Sequence, residues 1–185
     1  MTAILVVPAG LIVGSLATGT VLILGTDEVA QLALALAFCV LLVVVTVTDL
    51  ERRLIPNIVL GVGAAAAVAI AALGVPGSLG ARGIAAAAAG GALFPFALLR
   101  PSGMGMGDAK LAAVMGLYLG RSVAPGLLIA FGAGALVGLA MIARGGAAAR
   151  KQAVPFGPFL ALGGIVALWY GNALVEWYLA TFFDG

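Results

Sequence analysis

Long apolar runs follow one another along almost the whole chain, and they constrain the fold more than any other feature of the sequence. A helix that crosses a membrane needs about 20 apolar residues, because the hydrocarbon core is about 30 Å thick and each residue rises about 1.5 Å. Hydrophobic residues make up 64% of the chain and charged residues only 9%, whereas roughly a quarter of the residues of a soluble domain are charged. We therefore predict an all-α, polytopic helical bundle in a membrane.

The apolar runs divide into about seven predicted transmembrane helices. In chain order they cover about 3–24, 29–48, 57–75, 82–99, 108–120, 123–143 and 156–180. The first run lacks a basic start and is too long for the apolar part of a signal peptide, so we interpret it as a retained span. The sequence thus predicts two regions: 1–28, an N-terminal transmembrane helix with an external loop at Thr26–Glu28, and 29–185, a transmembrane domain.

The basic residues predict an orientation. With a cytoplasmic N-terminus, seven of the nine Lys and Arg residues face the cytoplasm, and only Arg82 and Arg121 face outward. The seven are Arg52, Arg53, Arg100, Lys110, Arg144, Arg150 and Lys151. The positive-inside rule therefore favours this topology. Because the net charge is only +2 and no basic patch forms, we expect the lipid bilayer, and no nucleic acid, as a partner. GxxxG spacings such as Gly134/Gly138 favour close packing within one bundle and leave a homodimer open.

The chain contains no histidine and one cysteine, and these counts limit the metal sites, catalytic groups and disulfides that it can have. Histidine-based zinc sites and Ser–His nucleophilic pairs are excluded. A single cysteine cannot form an internal disulfide. Any catalysis must come from carboxylates, lysine, tyrosine, serine or the lone thiol, and we expect neither a metal nor a cofactor.

Two of the acidic residues are candidates for function. An ionisable residue at membrane depth costs about 2.5–3.5 kcal/mol on insertion scales. Asp49 ends the second predicted span and Asp108 opens the fifth, and the two spans between them return the chain to the same, cytoplasmic, side. Two carboxylates brought close tend to share a proton, which suits peptide hydrolysis by an aspartic dyad. Alternatively, Asp49 pairs with Arg52 or Arg53, and Asp108 caps a helix.

Three segments, in this order, carry a resemblance to a known family. The first reads Asp49-Leu50-Glu51-Arg52-Arg53-Leu54-Ile55-Pro56-Asn57. The second, Gly103 to Leu111, contains a GxGD pattern that ends at Asp108, and the third reads Val154-Pro155-Phe156-Gly157-Pro158. Together they resemble the type IV prepilin peptidases, membrane aspartic peptidases that trim pilin and type II secretion pseudopilin precursors. The resemblance covers about residues 29–170.

The resemblance implies that region 29–185 is a GxGD aspartic peptidase domain with Asp49 and Asp108 as catalytic aspartates. Its implied substrate-binding residues are Gly103, Gly105, Gly107, Pro155, Phe156, Gly157 and Pro158. Glycines let a loop approach an extended substrate closely, and such a substrate could pair edge-on with the loop. The implied function is removal of the leader peptide from prepilin or pseudopilin precursors at the cytoplasmic face of the prokaryotic inner membrane. The implied partners are precursors with an N-terminal leader and a hydrophobic helix.

Three alternatives remain open. Presenilin-like intramembrane proteases also use GxGD, but with Tyr-Asp and Pro-Ala-Leu motifs, whereas Thr48 precedes Asp49 here and Pro-Phe-Gly-Pro stands in the late position. A small proton-coupled transporter would use Asp49 and Asp108 as proton sites, and it predicts mid-membrane acids and inverted repeats. A Ser–Lys peptidase built on Ser102 and Lys110 has no further support in the sequence.

Two polar residues near the aspartates are assigned structural roles. Lys110 lies two residues after Asp108 and points to another side of the helix, so we expect it to snorkel or to pair with Glu51. Asn57 follows Pro56 and is expected to cap the next helix.

Many enzymes of the resembled family also methylate the trimmed pilin, with a cytoplasmic domain after the first span that often carries paired CxxC motifs. In this chain only Thr26–Glu28 separates the first two predicted spans, and the longest predicted cytoplasmic connection, about 144–155, has 12 residues. A small domain needs roughly 50 residues. We therefore expect a short form that lacks the methyltransferase domain.

Overall fold

The protein is a bundle of helices. The computed structural model describes residues 3–99, 104–149 and 155–183, with side chains over 26–99, 104–144 and 155–183. Within these ranges the chain forms no β-strand, and the prediction of an all-α bundle is confirmed. The α-helices of the described ranges are α1 (Ala3–Arg52), α2 (Asn57–Gly74), α3 (Leu79–Leu99), α4 (Met106–Leu119), α5 (Val123–Ala149) and α6 (Gly157–Phe182).

The first helix is longer than the sequence predicts. α1 is continuous over 50 residues, which corresponds to about 75 Å. The predicted external loop at Thr26–Glu28 is wrong, because these three residues continue the helix. None of them is a proline or a glycine, so each supplies its backbone hydrogen bond without a large loss of helix propensity. The predicted boundary at residue 28 therefore lies inside a helix.

Several helical runs are long and apolar enough to cross a membrane. In the part of the chain whose side chains are described there are five, namely Thr26–Arg52, Asn57–Gly74, Pro76–Leu99, Met106–Arg144 and Gly157–Phe182. The fourth run contains α4 and α5, which are separated by Gly120 with φ 57°. A left-handed backbone of this kind favours glycine and reverses the chain here. The protein is thus a multi-pass membrane protein, but the predicted count of seven spans is not confirmed.

Small residues bring neighbouring helices into close contact. A Cβ atom on Gly116 of α4 would lie 2.5 Å from the backbone of Ala86 in α3. A Cβ atom on Gly126 of α5 would lie 3.1 Å from the carbonyl oxygen of Gly163 in α6. Backbones at this distance gain van der Waals contact, which drives helix association in lipid. Larger side chains fill the centre of the bundle, including Phe38, Leu42, Leu111, Met115 and Leu160.

The two ends of the bundle differ in their charged residues. At one end α1 finishes and α4 and α6 begin, and this end carries Arg52, Arg53 and Lys110. At the other end, Arg121 pairs with Glu176 at 2.8 Å. There Arg82 also donates hydrogen bonds to the carbonyl oxygens of Leu117 and Tyr118 in the last turn of α4. The predicted cytoplasmic residues Arg100, Arg150 and Lys151 lie outside the described residues.

Candidate active site

Two buried carboxylates line one cavity at the end of the bundle where α1 finishes. Asp49 is 6% exposed and Asp108 is 8% exposed. The cavity has a volume of about 260 Å³. The structure therefore brings both predicted catalytic aspartates to one place, although they come from different helices.

The start of the last helix holds the carboxylate of Asp49. The N–H of Gly157, the first residue of α6, donates to Oδ2 of Asp49 over 2.9 Å. A Cβ atom at position 157 would lie only 2.6 Å from the same oxygen and 3.1 Å from the carboxylate carbon. A side chain at this position would displace the aspartate. The third segment thus contacts Asp49, one of the two predicted catalytic aspartates, through the glycine that the resemblance implies as a substrate-binding residue.

The glycine loop holds the carboxylate of Asp108. Oδ2 of Asp108 accepts a hydrogen bond from the N–H of Gly105 at 3.1 Å, and the N–H of Asp108 donates to the carbonyl oxygen of Gly105, also at 3.1 Å. Asp108 is the third residue of α4, and its side chain reaches back to the N–H of the N-cap residue Gly105, which is one half of a capping box. Glycine has no side chain to complete the box and accepts through its carbonyl oxygen instead. The alternative in which Asp108 is the cap of this helix is wrong, because Gly105 is the N-cap of α4. The N–H of Gly105 is already used, so a substrate that pairs with this loop would use other donors.

The glycines of the loop permit close contact with the connection between α1 and α2. Gly105 and Gly107 both line the cavity. A Cβ atom on Gly107 would lie 3.1 Å from the Cβ of Ile55, so a larger residue would push the loop away from Ile55. Gly103, which is also predicted to bind substrate, lies outside the described residues.

The other predicted substrate-binding residues of the third motif lie beside the site. Phe156 packs against Phe131 and Phe159, with ring centroids 5.2 Å and 6.2 Å apart. Pro158 lies in the first turn of α6, where a missing N–H breaks no helical hydrogen bond. Among the described residues that line the cavity, Pro155, Phe156 and Pro158 are not found. Their role in substrate binding stays a prediction.

The connection between α1 and α2 supplies cavity residues that the sequence analysis did not assign to the site. Arg53 lines the cavity and has φ 50°, which is uncommon for a residue with a side chain. Its N–H donates to the carbonyl oxygen of Asp49 at 2.9 Å. This closes α1 directly after the aspartate and turns the chain into the cavity wall. Pro56 predicts from the sequence that a helix ends before it. No pattern in the sequence predicts that Arg53 has a positive φ angle.

A hydrogen bond joins two of the residues that line the cavity. Nζ of Lys110 donates to Oδ1 of Asn57 at 2.8 Å and so connects α4 with α2. The predicted pairing of Lys110 with Glu51 is wrong, because the lysine contacts Asn57 instead. The predicted capping role of Asn57 is also wrong, because Pro56 is the N-cap of α2 and no side chain caps that helix.

Among the residues that the structure describes, no three Cys, Asp or Glu side chains are grouped so that they could hold a metal ion. What the cavity offers is a pair of carboxylates, each with one oxygen bound to a backbone N–H. Two groups of this kind can transfer protons in both directions.

The sequence profile of the type IV leader peptidase family matches residues 36–142. This chain belongs to that family. The prepilin leader peptidase/N-methyltransferase of Bacillus subtilis is 37% identical over 147 residues, which cover 78% of this chain and 58% of the relative. The protein of the same name from Burkholderia pseudomallei is 36% identical over 167 residues, 86% of this chain and 52% of the relative. A third, from Legionella pneumophila, is 42% identical over 77 residues, 41% of this chain and 26% of the relative.

The chain spans about half the length of the curated relatives that it matches over most of its own length. The region that matches the family includes both Asp49 and Asp108 and extends from within α1 to within α5. No solved structure matches the chain.

Proposed function

We propose that this chain is a membrane-embedded aspartic endopeptidase that removes the leader peptide of prepilin or pseudopilin precursors. The observation that carries the proposal is the pair of buried aspartates, Asp49 and Asp108, which line one cavity. Membership of the type IV leader peptidase family supports the reaction class. The names of the relatives, prepilin leader peptidase/N-methyltransferase, support prepilins as the substrate class.

In the proposed mechanism the two carboxyl groups share one proton. The ionised carboxylate takes a proton from a water molecule, and the water oxygen forms a bond to the scissile carbonyl carbon. The protonated carboxyl group gives its proton to the carbonyl oxygen, so a tetrahedral diol forms. The diol then collapses: the C–N bond breaks, and the leaving nitrogen takes the proton that the first carboxylate had removed from water. One hydroxyl of the diol returns its proton to the second carboxylate, so the products are a carboxylic acid and an amine and the two carboxyl groups again share one proton.

The backbone hydrogen bonds fix the geometry of this dyad. Gly157 binds one oxygen of Asp49, and Gly105 binds one oxygen of Asp108. We propose that the second oxygen of each carboxylate serves the water and the substrate. Holding both groups by rigid backbone keeps the reacting atoms aligned, and misplacement of such groups by about 1 Å can cost about 10²-fold in rate.

The proposed location is the cytoplasmic face of the prokaryotic inner membrane. The end of the bundle that holds the dyad carries Arg52, Arg53 and Lys110, whereas Arg82 and Arg121 lie at the other end. The positive-inside rule favours the cytoplasm for the end with more basic residues near the membrane. The lipid bilayer surrounds the bundle in this proposal, and a homodimer stays a prediction.

The test is cleavage of candidate prepilins by the purified chain, with loss of the leader read as a mass shift. Asp49→Asn and Asp108→Asn keep the size of the side chain but cannot carry the proton, so each is expected to lower the rate by about 10²-fold or more. Both variants are expected to insert into membranes normally. The matched control is Asp27→Asn, because Asp27 is an exposed aspartate of α1; it is expected to cleave at the normal rate. Near-normal cleavage by either site variant would contradict the dyad assignment.

A further inference from the structure

An apolar groove with a floor of small residues runs between α3 and α4. It has a volume of about 380 Å³. The floor consists of Ala86, Ala87, Gly90, Gly91, Ala109 and Ala113. A Cβ atom on Gly90 would lie 2.8 Å from the Cβ of Ala113, so the two helices meet with no large side chain between them. The groove is therefore shallow, smooth and able to admit another helix.

The groove adjoins the cavity that holds the aspartates. Met106 and Lys110 line both the groove and the cavity. From Ala86 to Phe94 the groove follows α3 for about 12 Å, or roughly two helical turns. An apolar helix in the groove would thus end within reach of the dyad.

The small residues of the groove lie on an open surface. Ala87 and Gly91 are exposed, and a Cβ atom on Gly91 would meet nothing within 4 Å. Some other exposed positions of α3 carry large side chains, such as Ile84 at 73% and Phe96 at 65% exposure. Other positions of α3 are small and exposed but do not line the groove, namely Gly83, Ala88 and Ala92. In lipid, where helix association depends on packing, small residues of this kind let a second backbone approach closely.

A second apolar groove, between α1 and α2, is a weaker candidate. It has a volume of about 450 Å³ and is lined by larger side chains, including Val40, Val44 and Val62. None of the residues that line it also lines the cavity of the aspartates. A helix there would lack direct continuity with the dyad.

We propose that the groove between α3 and α4 binds the apolar helix of the precursor and that the segment to be cut passes from its end into the catalytic cavity. The proposal rests on the proposed function and adds the surface that selects the substrate. A helix hides its carbonyl groups, so the bound segment must unwind beside Met106 and Lys110 before its peptide bond reaches the aspartates.

Binding can be tested without cleavage. The full chain carries Asp108→Asn, so that the precursor is not consumed, and a photoreactive amino acid replaces Gly91, Gly61 or Val62. Gly61 is the matched control, because it is an exposed glycine of α2 that also has open space around it, and Val62 reports on the other groove. In vesicles that contain the precursor, we expect cross-linking from position 91 alone. Cross-linking from 61 or 62 without 91, or from none of the three, overturns the proposal.

A kinetic measurement on the active chain complements the cross-linking. Gly91→Leu fills the groove, and overpacking of this kind is expected to raise KM for the full precursor about tenfold. We define the preference as kcat/KM for the full precursor divided by kcat/KM for a peptide that ends before the apolar helix. This ratio is expected to fall by the same factor. Gly61→Leu is expected to leave both values unchanged, and an unchanged preference in Gly91→Leu overturns the proposal. Failure of the proposed function is distinct from either result, because the unmodified chain would then cleave neither substrate.

Discussion

Replacement of Gly157 by alanine adds one methyl group beside Asp49 and tests whether the position of this carboxylate determines the rate of cleavage. The new Cβ would lie 2.6 Å from Oδ2 of Asp49, 3.1 Å from its Cγ and 3.2 Å from its Cβ. Because all three distances are shorter than ordinary contacts, the whole side chain must move by several tenths of an ångström. Gly157 does not have a left-handed backbone, so alanine itself fits the start of α6, and only the contact with Asp49 is disturbed.

The structure sets the size of the expected effect. The displacement also lengthens or bends the hydrogen bond of 2.9 Å between the N–H of residue 157 and Asp49. Since an error of about 1 Å in the position of a catalytic group can cost about 10²-fold, we expect kcat to fall about 10- to 100-fold. This corresponds to a loss of roughly 1.4 to 2.7 kcal/mol of transition-state stabilisation.

The assay is the rate of leader removal at saturating precursor, with the amount of folded chain measured in parallel. Gly132→Ala is the matched control, because Gly132 is a helical glycine of α5 whose Cβ would meet nothing within 4 Å. It is expected to keep the normal kcat. If Gly157→Ala retains more than half of the normal kcat, the reasoning about the anchoring of Asp49 is refuted.

Three further outcomes are expected. With Cys39 replaced by alanine, Arg52→Cys and Met104→Cys should react with impermeant thiol reagents from the cytoplasmic side only; labelling from outside would contradict the proposed topology. Metal chelators and serine-protease reagents should leave cleavage intact, because the proposed chemistry uses two carboxylates; loss of cleavage that zinc restores would contradict it. Incubation of the chain with precursor and S-adenosylmethionine should give a product without an added methyl group, since no predicted connection is long enough for a further domain; a mass increase of one methyl would show otherwise.

The meeting of the two aspartates could be predicted because it depends only on the number of crossings between them. The segments predicted at 57–75 and 82–99 correspond to α2 and α3, and an even number of crossings returns the chain to the same end of the bundle. The loop incorrectly predicted at Thr26–Glu28 lies before both aspartates, so it does not change the number of crossings between them. The glycine loop before Asp108 could also be predicted from the sequence, because GxGD is a local pattern.

The contacts that hold the dyad could not be predicted from local patterns. Gly157 and Asp49 are 108 residues apart in the chain. Their hydrogen bond depends on how α1 packs against α6, where a Cβ atom on Gly164 would lie 3.0 Å from the ring of Phe38 and 3.2 Å from Leu42. Such a register follows from the shapes of many side chains. The hydrogen bond between Lys110 and Asn57 could not be predicted for the same reason, because it joins helices that are distant in the chain.

The hydrogen bond between Asp49 and Gly157 also has a consequence for the biosynthesis of the protein. Asp49 leaves the ribosome 108 residues before the glycine that holds it, a delay on the order of ten seconds at common rates of synthesis. During that time α6 does not yet exist, so the carboxylate has no anchor and the dyad is incomplete. The hydrogen bond, and with it the proposed active site, can therefore assemble only after the last helix has been made and has entered the bundle.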